Sequence, residues 1–329
     1  MDVIVRPEQR FDHGRQPRPD QTSGRTDALP HGGAATVIPG RPPVYAHRGY
    51  SSRQPEMTVA AYRAAIDWAA ERGVPLGLEC DVQLSADEVL VCLHDLTLDR
   101  TAGVAAAVAD RTLAELTSTD FGSWWLAEPR ADQRSLTTLQ HLLSMVAAAR
   151  ALGHRVTVAV ETKHPNPHGL DVDVAVARLL RVLNWDGPGS PVRMISFSAT
   201  ALALDAVLLP DLALTLLLDE LGEWADGSLP AGVTTAGPSL ALLRADPGYV
   251  GRAHAHGHEV HVWTVNDPAD IEWCTGLGVD AITTDYPERL WQEADSAPVG
   301  VAADSRHRLV GTEALGRSSG AAGSATPSR

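Results

Sequence analysis

Two acidic residues, Glu79 and Asp81, lie two positions apart inside the apolar run LGLECDV at residues 76–82. In a β-strand, alternate side chains point to opposite faces, so both carboxylates share one face while Leu78 and Cys80 occupy the other. Two ionised carboxylates this close repel each other and are costly to bury, so they require a bound cation, a shared proton or basic partners. A purely structural cluster of ion pairs satisfies the same requirement.

A third acid ends another apolar run. Glu161 closes RVTVAVE at residues 155–161, and Lys163, the only lysine in the chain, follows two positions later on the same face. Three carboxylates without a convergent set of thiols or imidazoles predict an all-oxygen site for a hard divalent ion, Mg²⁺ or Ca²⁺. The histidine-rich segment HAHGHEVH at residues 254–261 is interpreted as a solvated loop rather than a zinc site.

Two histidines follow predicted strands at the same rim. His47 and Arg48 come directly after the run VYA, and His94 follows the run VLVCL at residues 89–93. Beside a metal-bound phosphate, two imidazoles could serve as general acid and general base, and an arginine could bind the phosphate oxygens in a bidentate manner. Each histidine taken alone is equally compatible with a structural role.

The segment that carries His94 is predicted to return as a hairpin, because the chain between the two runs is too short for a crossover helix. A two-residue turn at Ala86–Asp87 places Glu79 opposite His94 and Asp81 opposite Cys92. A three-residue loop moves this register by one position.

The apolar runs alternate with helical patterns over about 250 residues. Repeated strand–helix–strand units imply parallel pairing, and eight of them predict a closed (β/α)8 TIM barrel with a β-hairpin extension after strand 2. A doubly wound open sheet is the structural alternative, although the turn HRGYSSRQPE is a poor match to its Gly-rich first turn. The predicted strands are VYAHR, LGLECDV, RVTVAVET, VRMISFS, ALTLLLD, GVTTAG, EVHVWTV and DAITTD.

Composition limits the function further. A net charge of −14 argues against a nucleic acid or an anionic membrane as partner. The three cysteines are an odd number at wide spacing, which fits neither a disulfide framework nor a zinc site, so reduced thiols are expected. The sequence shows neither a secretory signal pattern nor an apolar stretch of membrane-spanning length, so a cytoplasmic location without stable membrane insertion is expected. Residues 1–42 and 298–329 are predicted to be disordered tails, which leaves residues 43–297 as the barrel domain.

Taken together, these motifs resemble the glycerophosphodiester phosphodiesterases, a family of barrel enzymes that cleave phosphodiesters of glycerol with a divalent metal. The resemblance spans residues 43 to about 290. It implies the fold described above, a small-molecule phosphodiester substrate, and hydrolysis to an alcohol and glycerol 3-phosphate. The motifs that carry it are HRG at 47–49, PEMT at 55–58, ECD at 79–81, HDLTLDRT at 94–101, ELTSTDFGSWW at 115–125, ETK at 161–163, SFS at 196–198, WTVN at 263–266 and TTDYP at 283–287.

The resemblance also implies roles for individual residues. Glu79, Asp81 and Glu161 correspond to metal ligands, and His47 and His94 to the general acid and base, without telling which is which. The nucleophile is either water or the neighbouring glycerol hydroxyl, which would give a cyclic phosphate that water then opens.

Four further positions are assigned by the same resemblance. Arg48 and Lys163 are expected to contact the phosphate, Trp263 to form a wall against the alcohol, and Glu56 to lie near the site as a supporting residue or a ligand. Met57 departs from the family pattern, which usually has Asn there.

Other functions remain as alternatives. These are a different metal-dependent barrel hydrolase, a lipid phosphodiesterase of the sphingomyelin type, which needs an apolar entry surface, and a catalytically silent barrel that binds phosphodiesters. The sequence does not indicate the oligomeric state.

Overall fold

The computed structural model describes residues 41–292. The predicted tails, residues 1–42 and 298–329, lie outside the described residues except for Arg41 and Pro42. No helix within the described part of the chain is long and apolar enough to cross a membrane.

Eight parallel strands close into a barrel. The first strand pairs with both the second and the last, which joins the two edges of the sheet, and one further strand is antiparallel and outside the barrel. All eight strands predicted from the sequence are present, so the predicted TIM barrel is confirmed. The strands are β1 (Val44–Ala46), β2 (Leu76–Leu84), β3 (Leu90–Cys92), β4 (Val156–Thr162), β5 (Val192–Ser196), β6 (Leu214–Leu218), β7 (Thr235–Pro238), β8 (Glu259–Val262) and β9 (Ala281–Thr284).

Helices cover the outside of the barrel and follow its strands. The first one starts at the N-cap Thr58, whose hydroxyl accepts a hydrogen bond from the Ala61 amide, and ends at Gly73 in a left-handed conformation. The helices are α1 (Val59–Arg72), α2 (Asp99–Ala102), α3 (Leu113–Thr117), α4 (Ala131–Arg134), α5 (Leu139–Ala151), α6 (Asp171–Val182), α7 (Ala199–Leu208), α8 (Leu240–Ala245), α9 (Tyr249–Ala255), α10 (Pro268–Leu277) and α11 (Arg289–Gln292).

Strand β2 divides its side chains as the alternation predicts. Leu78 and Cys80 are fully buried in the large core between the barrel and the helices, whereas Glu79 and Asp81 point to the barrel interior. Gly77 lies opposite Tyr45 of β1, and a Cβ at Gly77 would come within 2.2 Å of the tyrosine ring. The glycine therefore makes room for an aromatic side chain inside the barrel.

The hairpin between β2 and β3 has a different register from the two-residue turn predicted above. Val82 pairs with Cys92, and the Asp81 carbonyl accepts from the Leu93 amide, so the pairing is shifted by one position. The turn contains three residues, and Glu88 closes it with a positive φ of 59°. A three-residue loop that ends in a left-handed residue is the next most common hairpin connection after two-residue turns.

Residues 93–138, between β3 and α5, form a separate layer at the rim of the barrel. This insertion has its own small apolar cluster, which includes Leu98, Val108, Leu116 and Phe121. It brings exposed side chains close to the carboxyl ends of the barrel strands, where active sites of such barrels lie.

Candidate active site

Three acidic side chains meet inside the barrel. Glu79 and Asp81 of β2 and Glu161 of β4 each offer a carboxylate oxygen, and these oxygens lie within 4.8 Å of one another. The register brings them together because Asp81 is paired directly with Glu161 across the two parallel strands. All three residues are buried.

Arg48 connects these acids to the loop that follows β1. Its backbone has a positive φ of 58°, and its amide donates to Glu79 Oε2 at 2.9 Å. Its guanidinium lies 3.3 Å from Asp81 Oδ2 and donates to Glu56 Oε1 at 3.0 Å. One arginine therefore contacts three separate carboxylates.

Lys163 supplies the second positive charge. Its Nζ lies 2.7 Å from Glu161 Oε1 and 3.3 Å from Asp81 Oδ1. Burial lowers the pKa of Lys163, but the charges of Asp81 and Glu161 outweigh burial and raise it above its usual value. The ammonium ion is thus fixed beside the acids.

The three acids differ in how readily they ionise. Burial and the neighbouring charge of Asp81 raise the pKa of Glu79 well above its usual value and that of Glu161 to about 8. Burial acts in the same direction on Asp81, but the charges of Lys163 and Arg48 outweigh it and bring its pKa to about 2. Two basic residues are therefore too few to stabilise three negative charges.

The donor set fits a hard divalent cation. Asp81 Oδ2 is buried and has no hydrogen-bond partner among the described residues, and Glu79 and Glu161 favour their protonated forms in the absence of a cation. A cation of charge two would occupy the space between these oxygens and replace the protons. Carboxylate oxygens are the ligands preferred by Mg²⁺ and Ca²⁺.

Each of the two histidines is held by an aspartate. His47 Nδ1 lies 2.7 Å from Asp285 Oδ1, and Asp285 also accepts hydrogen bonds from Ser51 Oγ and Asn266 Nδ2. With Asp285 ionised, Nδ1 of His47 carries the hydrogen, so Nε2 is the ring nitrogen left for chemistry. Carboxylates that fix a histidine tautomer in this way are common around active sites.

His94 is also bound by an aspartate, but its surroundings differ from those of His47. Its Nδ1 lies 2.7 Å from Asp95 Oδ1, and Arg100 binds both Asp95 and Glu56. Burial lowers the pKa of His94, and the charges of Arg48 and Lys163 act in the same direction. The imidazole of His94 is therefore mostly neutral at neutral pH.

One cavity joins these groups. We call it the inner cavity; it measures about 140 Å³ and is lined at one end by His47, Arg48, His94, Lys163, Glu79 and Glu161. Its other wall is largely apolar and includes Phe197 and Trp263, whose rings meet edge to face at 5.4 Å. Trp263 is fixed by a hydrogen bond from Nε1 to the Gly237 carbonyl at 2.6 Å.

Comparison with known proteins identifies the family of this chain. Residues 47–289 match the model of the glycerophosphoryl diester phosphodiesterase family. A protein named "Probable glycerophosphodiester phosphodiesterase 1" from Mycobacterium tuberculosis is 38% identical over 275 residues, which cover 79% of this chain and 96% of that protein. The chain belongs to the glycerophosphoryl diester phosphodiesterase family. The family and the class of enzyme predicted from the sequence are thereby confirmed.

Two other members illustrate the range of this family. A glycerophosphodiester phosphodiesterase of Bacillus subtilis is 29% identical over 265 residues, covering 77% of this chain and 86% of that protein. The solved structure of an Oleispira antarctica phosphodiesterase in complex with the product sn-glycerol-3-phosphate has a TM-score of 0.66 and 26% identity, and covers 78% of this chain and 98% of that chain.

Two residues of the PEMT motif, Glu56 and Met57, can be compared with what the family resemblance implied. Met57 has a positive φ of 56°, a conformation that Asn, the residue expected here from the resemblance, tolerates better than most residues. Met57 keeps the turn and packs into the core. Glu56 binds Arg48 and Arg100 and is not part of the acidic cluster able to hold a metal in residues 41–292.

Several contributing residues were not assigned from the sequence. Asp285 and Asp95 bind the histidines, Arg100 links Asp95 to Glu56, and Phe197 completes the aromatic wall. All four lie in segments that carry the family resemblance, but a contact between distant segments leaves no local pattern.

The histidine-rich segment is divided between a helix, a loop and the predicted strand EVHVWTV. His261 is not in a solvated loop: it is buried in β8, inside the barrel, with Nε2 2.8 Å from Thr283 Oγ1. His254 is also outside a loop, since it lies near the end of α9, where it is exposed and pairs with Asp280. His256 and His258 lie in the short loop between α9 and β8, as predicted, and their rings stack.

Proposed function

We propose that this chain hydrolyses glycerophosphodiesters to an alcohol and glycerol 3-phosphate, with a divalent cation and with His47 and His94 as general acid and base. The observation that carries this proposal is the inner cavity, which both imidazoles line together with Glu79, Glu161 and Arg48. Family membership and the glycerol 3-phosphate bound to the Oleispira relative support the substrate class.

Glu79, Asp81 and Glu161 would hold the cation, either Mg²⁺ or Ca²⁺. When bound, it would neutralise the charge of the phosphodiester and polarise its phosphorus–oxygen bonds. Arg48 and Lys163 complement that charge from two sides, because both line the inner cavity and both already contact the acids.

The two histidines transfer the protons of the reaction. Because His47 and His94 each bind an aspartate through Nδ1, each presents Nε2 to the reaction. One imidazole takes the proton of the nucleophile, which is water or the neighbouring hydroxyl of glycerol, and the other gives a proton to the departing alcohol oxygen. General acid–base steps of this kind contribute about 10²–10⁴ in rate.

The histidine roles are tested by substitution. His47→Ala and His94→Ala are each expected to lower kcat by about a hundredfold or more while cation binding persists. His141→Ala, in an exposed position on α5, is the matched control and is expected to keep full activity. Steady-state kinetics with glycerophosphocholine give the rates, and near-normal turnover in both variants contradicts the scheme.

The cation is tested by removal and by ligand replacement. A chelator is expected to abolish activity, and added Mg²⁺ or Ca²⁺ to restore it. Glu79→Gln and Asp81→Asn should weaken cation binding measured by calorimetry, because each removes one anionic oxygen ligand from the cluster. Full activity in excess chelator would remove the cation from the mechanism.

A further inference from the structure

A second cavity adjoins the site and shares two of its residues. We call it the side cavity; it measures about 320 Å³, and His47 and Arg48 line both it and the inner cavity. The remaining lining residues come from the loop after β1, from the insertion and from the loop after β9. They are Ser51, Ser52, Glu56, Trp125, Asp285 and Tyr286.

The two cavities meet at Arg48, the residue expected to contact the phosphate. A phosphodiester carries two alcohols on one phosphorus atom, and Arg48, the proposed phosphate contact, stands at the junction of the two cavities. A diester bound at Arg48 can therefore extend one alcohol into each. His47 borders both cavities, whereas His94 lines the inner one and not the side one.

The size and the lining of each cavity indicate which of the two alcohols it binds. The inner cavity is small and has an aromatic and aliphatic wall, which suits the compact three-carbon chain that all glycerophosphodiesters share. The side cavity is larger and more polar, with two serines, two carboxylates and a tyrosine. It suits the alcohol that varies between substrates.

We propose that the side cavity binds the departing alcohol and selects one that is polar, carries hydroxyl or ammonium groups, and has no negative charge. This inference rests on the function proposed above and adds a binding subsite to it. Its central residues are Ser52, Trp125 and the two carboxylates of Glu56 and Asp285.

The side cavity offers an unused hydrogen-bonding group. Ser52 Oγ is buried and has no hydrogen-bond partner among residues 41–292. A buried hydroxyl without a partner is unfavourable, and a hydroxyl or ammonium group of a bound alcohol would satisfy it. Ser51 Oγ donates to Asp285, so it keeps acceptor capacity for the same ligand.

Trp125 offers an unoccupied aromatic surface. Arg100 lies over the ring of Trp124 and Arg289 over that of Tyr286, but within the described chain no cation covers Trp125. The Trp125 side chain is 37% exposed and lines the side cavity. Its ring can therefore pack against the carbon atoms of a polyol or the ammonium group of an amino alcohol.

The charges of the side cavity exclude an anionic alcohol. Glu56 already binds Arg48 and Arg100, and Asp285 already binds His47, so both carboxylates are matched. An additional negative charge would face these two carboxylates, while Arg48, the cation that lines the side cavity, is already paired with Glu56 and Asp81. An apolar chain would leave the buried Ser52 hydroxyl without a partner and would displace water from the carboxylates, which is also unfavourable.

The test compares diesters that differ only in the departing alcohol. Glycerophosphocholine and glycerophosphoglycerol fill the side cavity, whereas the methyl ester of glycerol 3-phosphate leaves it empty, and the octyl ester places an alkyl chain there. The readout is the kcat/KM for each diester divided by that for the methyl ester. Comparing this ratio between variants cancels the intrinsic reactivity of each leaving group.

Trp125→Ala is expected to lower the choline ratio by about tenfold, with methyl ester turnover kept within about twofold. Ser52→Ala is expected to lower the glycerol ratio in the same way. Trp124→Ala is the matched control: the ring is similarly exposed, lines neither cavity, and its removal is expected to leave both ratios unchanged.

Two results overturn the subsite while leaving the proposed function intact. One is an equal loss on all diesters in Trp125→Ala and Ser52→Ala, or no loss on any. The other is a wild-type preference for the octyl ester over the polar diesters. If the wild-type protein with Mg²⁺ or Ca²⁺ cleaves none of the four diesters, the proposed function itself fails and the subsite with it.

Discussion

At the scale of single residues, the tautomer of His47 depends on a contact with a distant part of the chain. Asp285 lies 238 residues from His47, yet its carboxylate receives the Nδ1 hydrogen at 2.7 Å. Asn266 and Ser51 orient Asp285 in turn. Burial raises the pKa of Asp285, but these hydrogen bonds and His47 outweigh it and lower the pKa below its usual value, so the group stays ionised at neutral pH.

Asp285→Asn is predicted to lower kcat by about a hundredfold, because the amide neither fixes the histidine tautomer nor stabilises its protonated form. Cation affinity should be unchanged, since Asp285 is not part of the acidic cluster. Steady-state kinetics and calorimetry measure the two quantities. Asp219→Asn, at an exposed position, is the control, and equal activity of both variants would contradict the role given to Asp285.

A second acid is buried outside the active site. Asp205 of α7 is fully buried, and neither of its oxygens has a hydrogen-bond partner in the described part of the chain. Burial, with a smaller effect from the charge of Asp173 on α6, raises its pKa to about 8. Asp173 itself binds His164 at 2.9 Å, in the loop that follows Lys163.

The raised pKa of Asp205 predicts how the free energy of unfolding depends on pH. The folded chain keeps the Asp205 proton up to about pH 8, whereas the unfolded chain loses it near pH 4. The stabilisation is therefore complete below pH 4 and is lost as pH rises towards 8, by up to about 1.4 kcal/mol per pH unit.

Asp205→Asn removes this dependence because an amide does not ionise. Its free energy of unfolding, relative to that of the wild type, should rise by up to about 4 kcal/mol between pH 5 and pH 8. Urea denaturation at the two pH values measures this difference, and Asp211→Asn, an exposed neighbour, should show none. An unchanged difference between the two pH values would mean that Asp205 is ionised in the folded protein.

At the scale of elements, local pattern predicted the strands well but not the turn between β2 and β3. The alternation in LGLECDV correctly directed Glu79 and Asp81 inward, because side-chain period and burial agree over the whole strand. The structure has the three-residue alternative rather than the two-residue turn, because Glu88 adopts a left-handed conformation that its type does not indicate. Asp95 and Arg100 were missed for a related reason, since their contacts depend on how the insertion folds back.

Glu88→Gly is predicted to raise the free energy of unfolding by about 0.5–1 kcal/mol, because glycine adopts a positive φ without the steric cost of a Cβ. Glu88→Ala is the matched control: it keeps the Cβ and should give no gain. Glu88 is exposed, so contacts of its side chain contribute little to the difference. Chemical denaturation measures the difference, and equal stabilities of the two variants would argue against strain at this residue.

At the scale of the whole molecule, the number and order of strands could be predicted from alternating strand and helix patterns, because parallel pairing requires crossovers. The side cavity could not, since it is lined by the loop after β1, the insertion and the loop after β9. The cytoplasmic location and the roles of the tails stay predictions. The three cysteines, Cys80, Cys92 and Cys274, are free and buried, which agrees with the expectation of reduced thiols.

A chain of residues 43–297 is predicted to keep the kcat/KM of the full chain within about twofold and its melting temperature within a few degrees. The reason is that all barrel strands and all proposed site residues lie within residues 44–285. Thermal unfolding and kinetics of the shortened chain measure both quantities. A large loss of either would give the terminal segments a structural or catalytic role.

The single lysine also gives the chain a single cleavage site for a lysine-specific protease, and this site lies next to the candidate active site. An endoprotease that cuts only after lysine has one target, the peptide bond that follows Lys163, and this bond lies just past β4. Cutting there separates three barrel strands from the other five. Because Lys163 is held by Asp81 and Glu161, the rate of this one cut reports how often the catalytic end of the barrel opens.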